Sequence, residues 1–261
     1  MDASLARNKV RMRSPELIER EANPRQSAVR AAGYHRWSDL LFVHWRVPVA
    51  TVAPLIPAGL SLDTWDGDAW VGLVPFQLSG VRPWWSPAVP GVSSFLETNL
   101  RTYVHYRGRD PGVLFFSLDA ANRLAVRIAR NCWHLAYHDA KMSLERRGDV
   151  IEYRSVRRPW EPPAEVICSA EIGGPLHSVG HARAGTLEHF LAERYLFYTH
   201  ASGGRLFRGR VQHRPYPLHT ARLRELRESL TRAAGIDAAE PPCHVLFSPG
   251  VDVRVYGLER L

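Results

Sequence analysis

The stretch that decides the fold is Phe95-Leu96-Glu97-Thr98-Asn99-Leu100-Arg101-Thr102-Tyr103-Val104, near the middle of the chain. Successive side chains of a β-strand point to opposite faces, so alternate residues of this stretch share a face. One face then carries Phe95, Glu97, Asn99, Arg101 and Tyr103. The alternation predicts a strand from Phe95 to Tyr106, followed by a turn at residues 107–112.

Two interpretations of this polar face follow from the periodicity. In the first, the face is the polar floor of a pocket, where Arg101 binds a carboxylate or phosphate and Glu97 moves a proton once burial raises its pKa. In the second, the face is the solvated side of a sheet, and both charged side chains are exposed. The alternation alone fits both interpretations equally well.

Working outward, strands are predicted along most of the chain. Asp66-Gly67 predicts a hairpin turn between strands at 61–65 and 69–78, and Gly148-Asp149 predicts another between Tyr137–Arg146 and Val150–Arg157. The remaining predicted strands are Val113–Leu118, Glu165–Ile172, Arg205–His213, His244–Phe247 and Val251–Tyr256. Residues 1–28 are predicted to be a flexible basic tail, and residues 29–261 a single domain.

Helical patterns are fewer than strand patterns. Apolar residues fall on one stripe in Ala120–Arg130, Thr186–His200 and His219–Ala234, and residues 49–58 are expected to form a short helical turn. Many strands and few helices predict an α+β fold, mainly antiparallel β, with a barrel or a strongly curved sheet and peripheral helices. Nothing in the pattern indicates repeated βαβ units.

Composition narrows the classes of protein. Hydrophobic residues make up 45% of the 261 residues, which excludes disorder of the whole chain. No segment has the roughly 18 uncharged apolar residues of a membrane span, and no apolar signal core precedes residue 30, so we expect a cytoplasmic protein without a membrane partner. The net charge of +8 comes from scattered arginines without a recognition motif, so no specific nucleic acid is expected.

Motifs for common cofactors are absent from the sequence. It contains no phosphate loop, no GxGxxG, no GxSxG and no HExxH. His134 and His138 are four residues apart, as are His177 and His181, but neither pair lies within one predicted helix. We therefore expect neither a metal ion nor a cofactor.

Two further charged residues are candidates for a site. Asp119 precedes the predicted helix at Ala120, so it is either a helix N-cap or a carboxylate at a pocket mouth. Lys141 is the one lysine after the tail. A buried lysine with a lowered pKa can form a Schiff base with a carbonyl substrate, whereas most lysines are surface charges.

An ordered set of segments after residue 35 carries a family resemblance. The segments are His44–Pro48, Leu55–Pro57, Gly67–Phe76, Glu97–Val104, Phe115–Ala120, Glu193–Tyr195, His213–Leu218 and Phe247–Val253. The set resembles the YqjF-like family, a domain of unknown function that looks related in fold to acetoacetate decarboxylase. The resemblance implies a cone-shaped antiparallel barrel with a central pocket, and it turns the Glu97 face toward that pocket.

The resemblance also implies chemistry on an organic or keto acid. Acetoacetate decarboxylase uses a lysine of lowered pKa. The family's two adjacent lysines fall at or near Tyr137 and His138, and this chain has no adjacent lysines. Lys141 lies four residues from Tyr137, which is roughly 13 Å along a strand.

These arguments combine into one predicted site. Glu97, Lys141 and Tyr137 are its candidate catalytic residues, and Arg101, Asn99 and Asp119 are its candidate substrate-binding residues. The predicted ligand is a small organic acid, and a homo-oligomer is compatible with the sequence. The protein is predicted to be either an enzyme of the lyase or decarboxylase type or a non-catalytic binding or sensor module that uses the same pocket.

Overall fold

The computed structural model describes residues 29–177, 180–201 and 203–261, so the predicted tail at 1–28 lies outside the described residues. The described chain contains twelve strands and four short α-helices. The strands are β1 (Gly33–Val47), β2 (Leu60–Leu62), β3 (Ala69–Pro83), β4 (Phe95–Tyr106), β5 (Arg109–Ala120), β6 (Tyr137–Arg147), β7 (Val150–Arg157), β8 (Glu165–Pro175), β9 (Leu196–His200), β10 (Leu206–Gln212), β11 (His219–Glu228) and β12 (His244–Arg260). The helices are α1 (Val49–Val52), which a 3-10 turn at Ala53–Leu55 follows, α2 (Arg123–Trp133), α3 (Leu187–Ala192) and α4 (Leu230–Ala233).

The strands form one strongly curved sheet. Successive neighbours β12, β1, β3, β4, β5, β9 and β10 are paired, and β10 pairs again with β12, so these seven strands form a ring. All pairings are antiparallel except β5 with β6 and β5 with β9. The predicted class, mainly antiparallel β with a few helices, is confirmed.

Strands β6, β7, β8 and β11 form an outer layer that leaves the ring at β5 and rejoins it at β12. The chain therefore has two main cores. The core inside the ring includes Phe42, Phe76, Tyr103 and Phe190. The second core lies between the ring and the outer layer and includes Leu41, Leu73, Leu100, Ile151 and Phe247. Strand β4 contributes to both cores, so both of its faces are buried.

The helix predicted at His219–Ala234 is wrong over most of its length. Residues 219–228 form strand β11, which pairs with β8. The register shifts between Leu223 and Glu225, so an extra residue changes the alternation there. Ala221, Leu223 and Leu226 consequently all pack on the second core. Their spacing of two and then three residues imitates a helical stripe.

Two other predicted helices have different bounds in the structure. The predicted helix at Thr186–His200 ends at Ala192, and Leu196–His200 is strand β9, which is hydrogen-bonded to β10 and β5. Helix α2 begins at Arg123 rather than at Ala120, which is the last residue of β5. Tertiary pairing with neighbouring strands therefore overrides the local helical pattern in both segments.

Of the two predicted hairpins, the one at Gly148 forms in full, and at Asp66-Gly67 only the turn forms. Gly148 connects β6 and β7 with a positive φ of 62°, and these strands pair antiparallel as expected. Asp66 and Gly67 also have positive φ angles, but only one bridge, between Trp65 and Asp68, joins the two sides of that turn. Strand β2 instead pairs with β4. It lies beside residues 104–106, beyond the part of β4 that pairs with β3.

Candidate functional site

The polar face of β4 points into the interior of the ring. Glu97, Asn99 and Arg101 are only 4%, 5% and 8% exposed, and Tyr103 on the same face belongs to the inner core. The opposite face, which includes Leu100, packs against the outer layer. The interpretation of this face as the solvated side of a sheet is therefore wrong.

A cavity of about 560 Å³ opens inside the ring, and Glu97 is the one carboxyl group among its described lining residues. Its walls come from β1, β3, β4, β5, helix α2 and the loop at residues 84–94. Most of the lining side chains are apolar or aromatic, among them Trp37, Phe76, Leu78, Trp85, Val92, Phe95, Phe115, Leu118, Ile128, Trp133 and Phe197. Such a cavity suits a small organic molecule with one polar group.

The polar centre of this cavity is the Glu97–Tyr137 pair. The Tyr137 hydroxyl donates a hydrogen bond of 2.7 Å to Oε2 of Glu97. Burial raises the pKa of Glu97 to about 7, although the hydrogen bond from Tyr137 opposes this rise. Burial and the nearby carboxylate raise the pKa of Tyr137 well above its usual range. Near neutral pH, Glu97 therefore populates both protonation states, while Tyr137 keeps its proton.

Arg101 lies further along the same face of β4 and does not line the cavity. Its Nη2 donates to the carbonyl oxygen of Leu191 at 3.0 Å, and its Nε has no hydrogen-bond partner within the described chain. No carboxylate forms an ion pair with it among the described residues. The Oδ1 atom of Asn99, on the same face, is also buried without a partner.

The surroundings of Arg101 are neutral rather than anionic. Its guanidinium lies 5.5 Å from the Phe42 ring and 5.8 Å from the Tyr103 ring. Burial, together with the charge of Arg101, lowers the pKa of His44 well below its usual range and that of His213 to about 4. These imidazoles are thus uncharged at neutral pH, and the positive charge of Arg101 is left uncompensated.

The structure corrects the expectation for Asp119. In the β4–β5 ladder Asp119 pairs with Thr98, whereas Glu97 pairs with Ala120, so Asp119 faces away from the cavity. Its carboxylate accepts hydrogen bonds from Nε and Nη2 of Arg157, the latter at 2.9 Å. It is no helix cap either, because Asn122 accepts the hydrogen bonds from the first turn of α2. The structure therefore places Asp119 outside the cavity, in an ion pair with Arg157.

Lys141 is likewise outside the site. Its side chain is exposed on β6, and it does not line the cavity. Tyr137, at the start of the same strand, does line it. A nucleophile must lie close to the substrate carbon, and the structure does not bring Lys141 to the cavity.

Several site features escaped the sequence analysis. Trp37, Phe115 and Phe197 line the cavity, although each sits on a strand where alternation alone does not say which face is inside. Arg157 and Arg194 form buried ion pairs with Asp119 and Asp63, partners that are 38 and 131 residues away in the chain. Only the tertiary fold could reveal such distant pairs.

Within residues 29–177, 180–201 and 203–261, no three His, Cys, Asp or Glu side chains cluster in a way that could hold a metal ion. In the first histidine pair, His138 contacts Glu161 at 2.9 Å, while His134 adopts a left-handed conformation at the end of α2. In the same described ranges, no helix is long and apolar enough to cross a membrane.

Comparison with known proteins identifies the family. The model of DUF2071, a family of uncharacterized conserved proteins, matches residues 34–252. The chain belongs to this family. It is also 38% identical over 224 residues to the uncharacterized protein YqjF of Bacillus subtilis (strain 168), a match that covers 86% of this chain and 90% of YqjF. The predicted membership of the YqjF-like family is confirmed.

Solved structures of similar fold are acetoacetate decarboxylase-like. The acetoacetate decarboxylase of Legionella pneumophila gives a TM-score of 0.63 at 13% identity, covering 94% of this chain and 95% of that one. An acetoacetate decarboxylase-like enzyme from Sphingomonas wittichii RW1 gives 0.62 at 16% identity, covering 90% and 95%. The enduracididine biosynthesis enzyme MppR, complexed with pyruvate, gives 0.59 at 11% identity, covering 90% and 92%. The chain therefore has an acetoacetate decarboxylase-like fold.

Proposed function

We propose that the protein binds a small organic acid inside the ring and exchanges a proton with it through Glu97. The observation that carries this proposal is the Glu97 carboxyl, buried in an apolar cavity, bonded to the Tyr137 hydroxyl and with its pKa raised to about 7. A group whose pKa lies near the working pH both accepts and releases protons readily. Perturbed carboxyl groups in cavities are typical of functional sites.

The ligand would place a carbonyl or carboxyl oxygen near this pair. Protonated Glu97 can donate a hydrogen bond to that oxygen, and ionised Glu97 can take a proton from the adjacent carbon. The Tyr137 hydroxyl, bonded to Oε2, fixes the orientation of the carboxyl group. The aromatic walls would hold the apolar part of the ligand and exclude water.

The acid class of the ligand rests on Arg101, which lies outside the cavity lining, four residues or roughly 13 Å along β4 from Glu97, so an acid that contacts both groups must be an extended one. A buried guanidinium without a counter-charge is costly, and a ligand carboxylate would remove that cost through the planar fork of the arginine. Asn99, between Glu97 and Arg101, has a buried Oδ1 without a partner in the described chain, but it does not line the cavity. One structure of similar fold, MppR, is complexed with pyruvate, a keto acid, which supports this class.

The proposal does not include a Schiff base. No lysine lines the cavity among the described residues, and Lys141 is exposed. Borohydride treatment with a panel of keto acids, followed by mass spectrometry, should leave the mass of the protein unchanged. A stable adduct that requires Lys141 would contradict this view of the site, since an imine is what borohydride traps.

Ligand binding can be tested by thermal shift. Small carboxylic and keto acids should raise the melting temperature of the wild-type protein, because a ligand that binds only the native state stabilises it. The rise should be lost in Arg101→Met and reduced in Glu97→Gln, and it should persist in Lys141→Ala, the matched surface control. A panel of acids that gives no shift in the wild-type protein would contradict the proposal.

A non-catalytic binding module is the second candidate. It is favoured by the absence of cysteine and lysine side chains from the cavity lining within the described residues. The two candidates differ in proton exchange at the carbon next to the ligand carbonyl. An acid that binds and exchanges this proton for deuterium, followed by NMR, indicates catalysis, whereas binding without exchange indicates the module.

A further inference from the structure

A second, larger cleft of about 1290 Å³ lies on the other side of a shared wall from the cavity. Its described lining residues come from β1, the end of β3, β12 and the segment at residues 212–217. His35 and Arg82 line both the cleft and the cavity. The two spaces differ in chemistry, because the cavity is mainly apolar and the cleft is lined by arginines.

The cleft contains a continuous row of side chains across four strands. Arg82 of β3 pairs with Tyr34 of β1, Tyr34 pairs with Arg254 of β12, and Arg254 pairs with Gln212 of β10. Directly paired residues share a face of the sheet, so the two arginines flank the tyrosine ring. The Arg82 guanidinium lies 4.6 Å from that ring, which limits its freedom.

The charge of the cleft is unbalanced. Four arginines line it, Arg36, Arg82, Arg214 and Arg254, and Asp252 is the one carboxylate among the described lining residues. Asp252 pairs with Arg36 at 3.1 Å. The other three arginines have no carboxylate partner in the described ranges. Clustered like charges repel each other, and an anion between them would remove that repulsion.

The floor of the cleft adds an independent observation. His213 is 5% exposed, and its Nδ1 lies 2.8 Å from the carbonyl oxygen of Arg214. Nδ1 must carry the hydrogen in this contact, so Nε2 is left as an acceptor, and it has no partner within the described chain. His35, which also lines the cleft, has a buried Nδ1 without a partner. Buried polar atoms without partners are rare, and both here border the arginine cleft.

We propose that this cleft binds a phosphate-bearing small molecule. Arginine guanidinium groups bind phosphate oxygens in pairs of parallel hydrogen bonds, and Arg82, Arg214 and Arg254 are available for them. The inference does not depend on the organic acid proposed for the cavity, because Arg214 and Arg254 do not line that cavity.

Titration calorimetry with inorganic pyrophosphate tests the site. The wild-type protein should bind with a measurable Kd that weakens as salt is added. The double variant Arg214→Gln/Arg254→Gln should weaken binding by about tenfold or more, since hydrogen bonds to charged groups are among the strongest. The control Arg147→Gln/Arg154→Gln removes an equal number of positive charges, but from the exposed β6–β7 hairpin. It should leave the Kd within about twofold of the wild-type value.

Three outcomes would overturn the inference. The first is no saturable pyrophosphate binding by the wild-type protein. The second is an equal loss in both double variants, which would show that net charge alone attracts the anion. The third is tighter binding of a single-stranded oligonucleotide than of pyrophosphate, with a steep salt dependence. The cavity is tested separately by measuring the rise in melting temperature that organic-acid ligands cause in the Arg214→Gln/Arg254→Gln variant. Failure of one proposal can therefore be told from failure of the other.

Discussion

The two faces of strands β4 and β5 bury charge in opposite ways. On the outer face, Nε and Nη2 of Arg157 donate hydrogen bonds to the Asp119 carboxylate, and both side chains of this ion pair are almost fully buried. On the inner face, Glu97 and Arg101 are buried to a similar degree, but neither has an ionic partner within the described chain. The fold therefore neutralises the charges of the outer face, whereas the two ionisable groups of the inner face have no described partner.

We propose that the difference separates a structural role for Asp119 and Arg157 from a ligand-binding role for Glu97 and Arg101. Among the described residues three arginines are buried, namely Arg101, Arg157 and Arg194. Arg157 and Arg194 each have an aspartate oxygen at 2.9 Å. Among the described residues, the fold supplies a counter-charge twice but none for Arg101, which shares the inner face of β4 with Glu97. Stability is commonly given up in this way at binding sites.

The largest expected effect is on the outer face. Asp119→Asn leaves the Arg157 guanidinium buried without a counter-charge, so it should lower the free energy of unfolding by about 3–5 kcal/mol. Chemical denaturation measures the change. Asp252→Asn, which breaks the exposed pair with Arg36, is the control and should have little effect. An equally small effect of Asp119→Asn would remove the contrast between the two faces.

The pH dependence of stability tests Glu97. Its pKa of about 7 in the folded protein exceeds the usual 4.5, so the folded state keeps a proton that the unfolded state releases. The stability contribution is fully present below pH 4.5 and is lost as the pH rises toward 7, by up to about 3 kcal/mol. Glu97→Gln lacks this loss, so its stability relative to wild type should rise over that range. Parallel pH profiles of the two proteins would contradict the assignment.

Tyr137→Phe should have a moderate effect. The hydroxyl donates to the Glu97 carboxylate and opposes the rise of its pKa, so its removal should raise the pKa of Glu97 above about 7. The lost hydrogen bond should also lower the free energy of unfolding by about 1 kcal/mol. Carbon NMR of the glutamate carboxyl groups follows the titration. Tyr256→Phe, which removes a hydroxyl bonded to Gln212, should leave the pKa of Glu97 unchanged.

The smallest effect is expected at Arg101. Arg101→Met removes an uncompensated buried charge and keeps most of the volume, so the free energy of unfolding should change by about 1 kcal/mol or less, or even increase. Denaturation without ligand measures it, beside Asp119→Asn under the same conditions. If Arg101→Met destabilises the protein as much as Asp119→Asn does, Arg101 supports the fold and the comparison fails.

Much of the sheet could be predicted from local sequence. The alternation in 95–106 gives β4 with its observed bounds, and Val150–Arg157 gives β7 in the same way. Both strands keep a strict period of two. No bulge interrupts the pairing of β4 with β3, or the pairing of β7 with β6 and β8. Strand β11 was predicted as a helix since its bulge at 223–225 changes that period. Glycine at position 148 fixed a turn, because it alone tolerates the required positive φ without strain.

The candidate site could be predicted only in part. Glu97, Asn99 and Arg101 were placed on one face because strand geometry requires it, and Tyr137 was found through its position in the family resemblance. The sequence could not exclude Lys141 or Asp119, because exposure and ion pairing depend on which strands meet. Arg157, which neutralises Asp119, lies on β7, a strand that the outer layer brings behind β5.

By itself, the sequence determined that this protein is mainly antiparallel β, that it belongs with the YqjF-like family, and that three polar side chains share one face of β4. These properties depend on side-chain period and turn residues, which act between near neighbours in the chain. Only the tertiary structure decided that this face is inside the ring, that Glu97 meets Tyr137, and that no carboxylate of residues 29–177, 180–201 and 203–261 pairs with Arg101. Burial and ion pairing depend on contacts between residues far apart in the chain, and folding alone establishes those contacts.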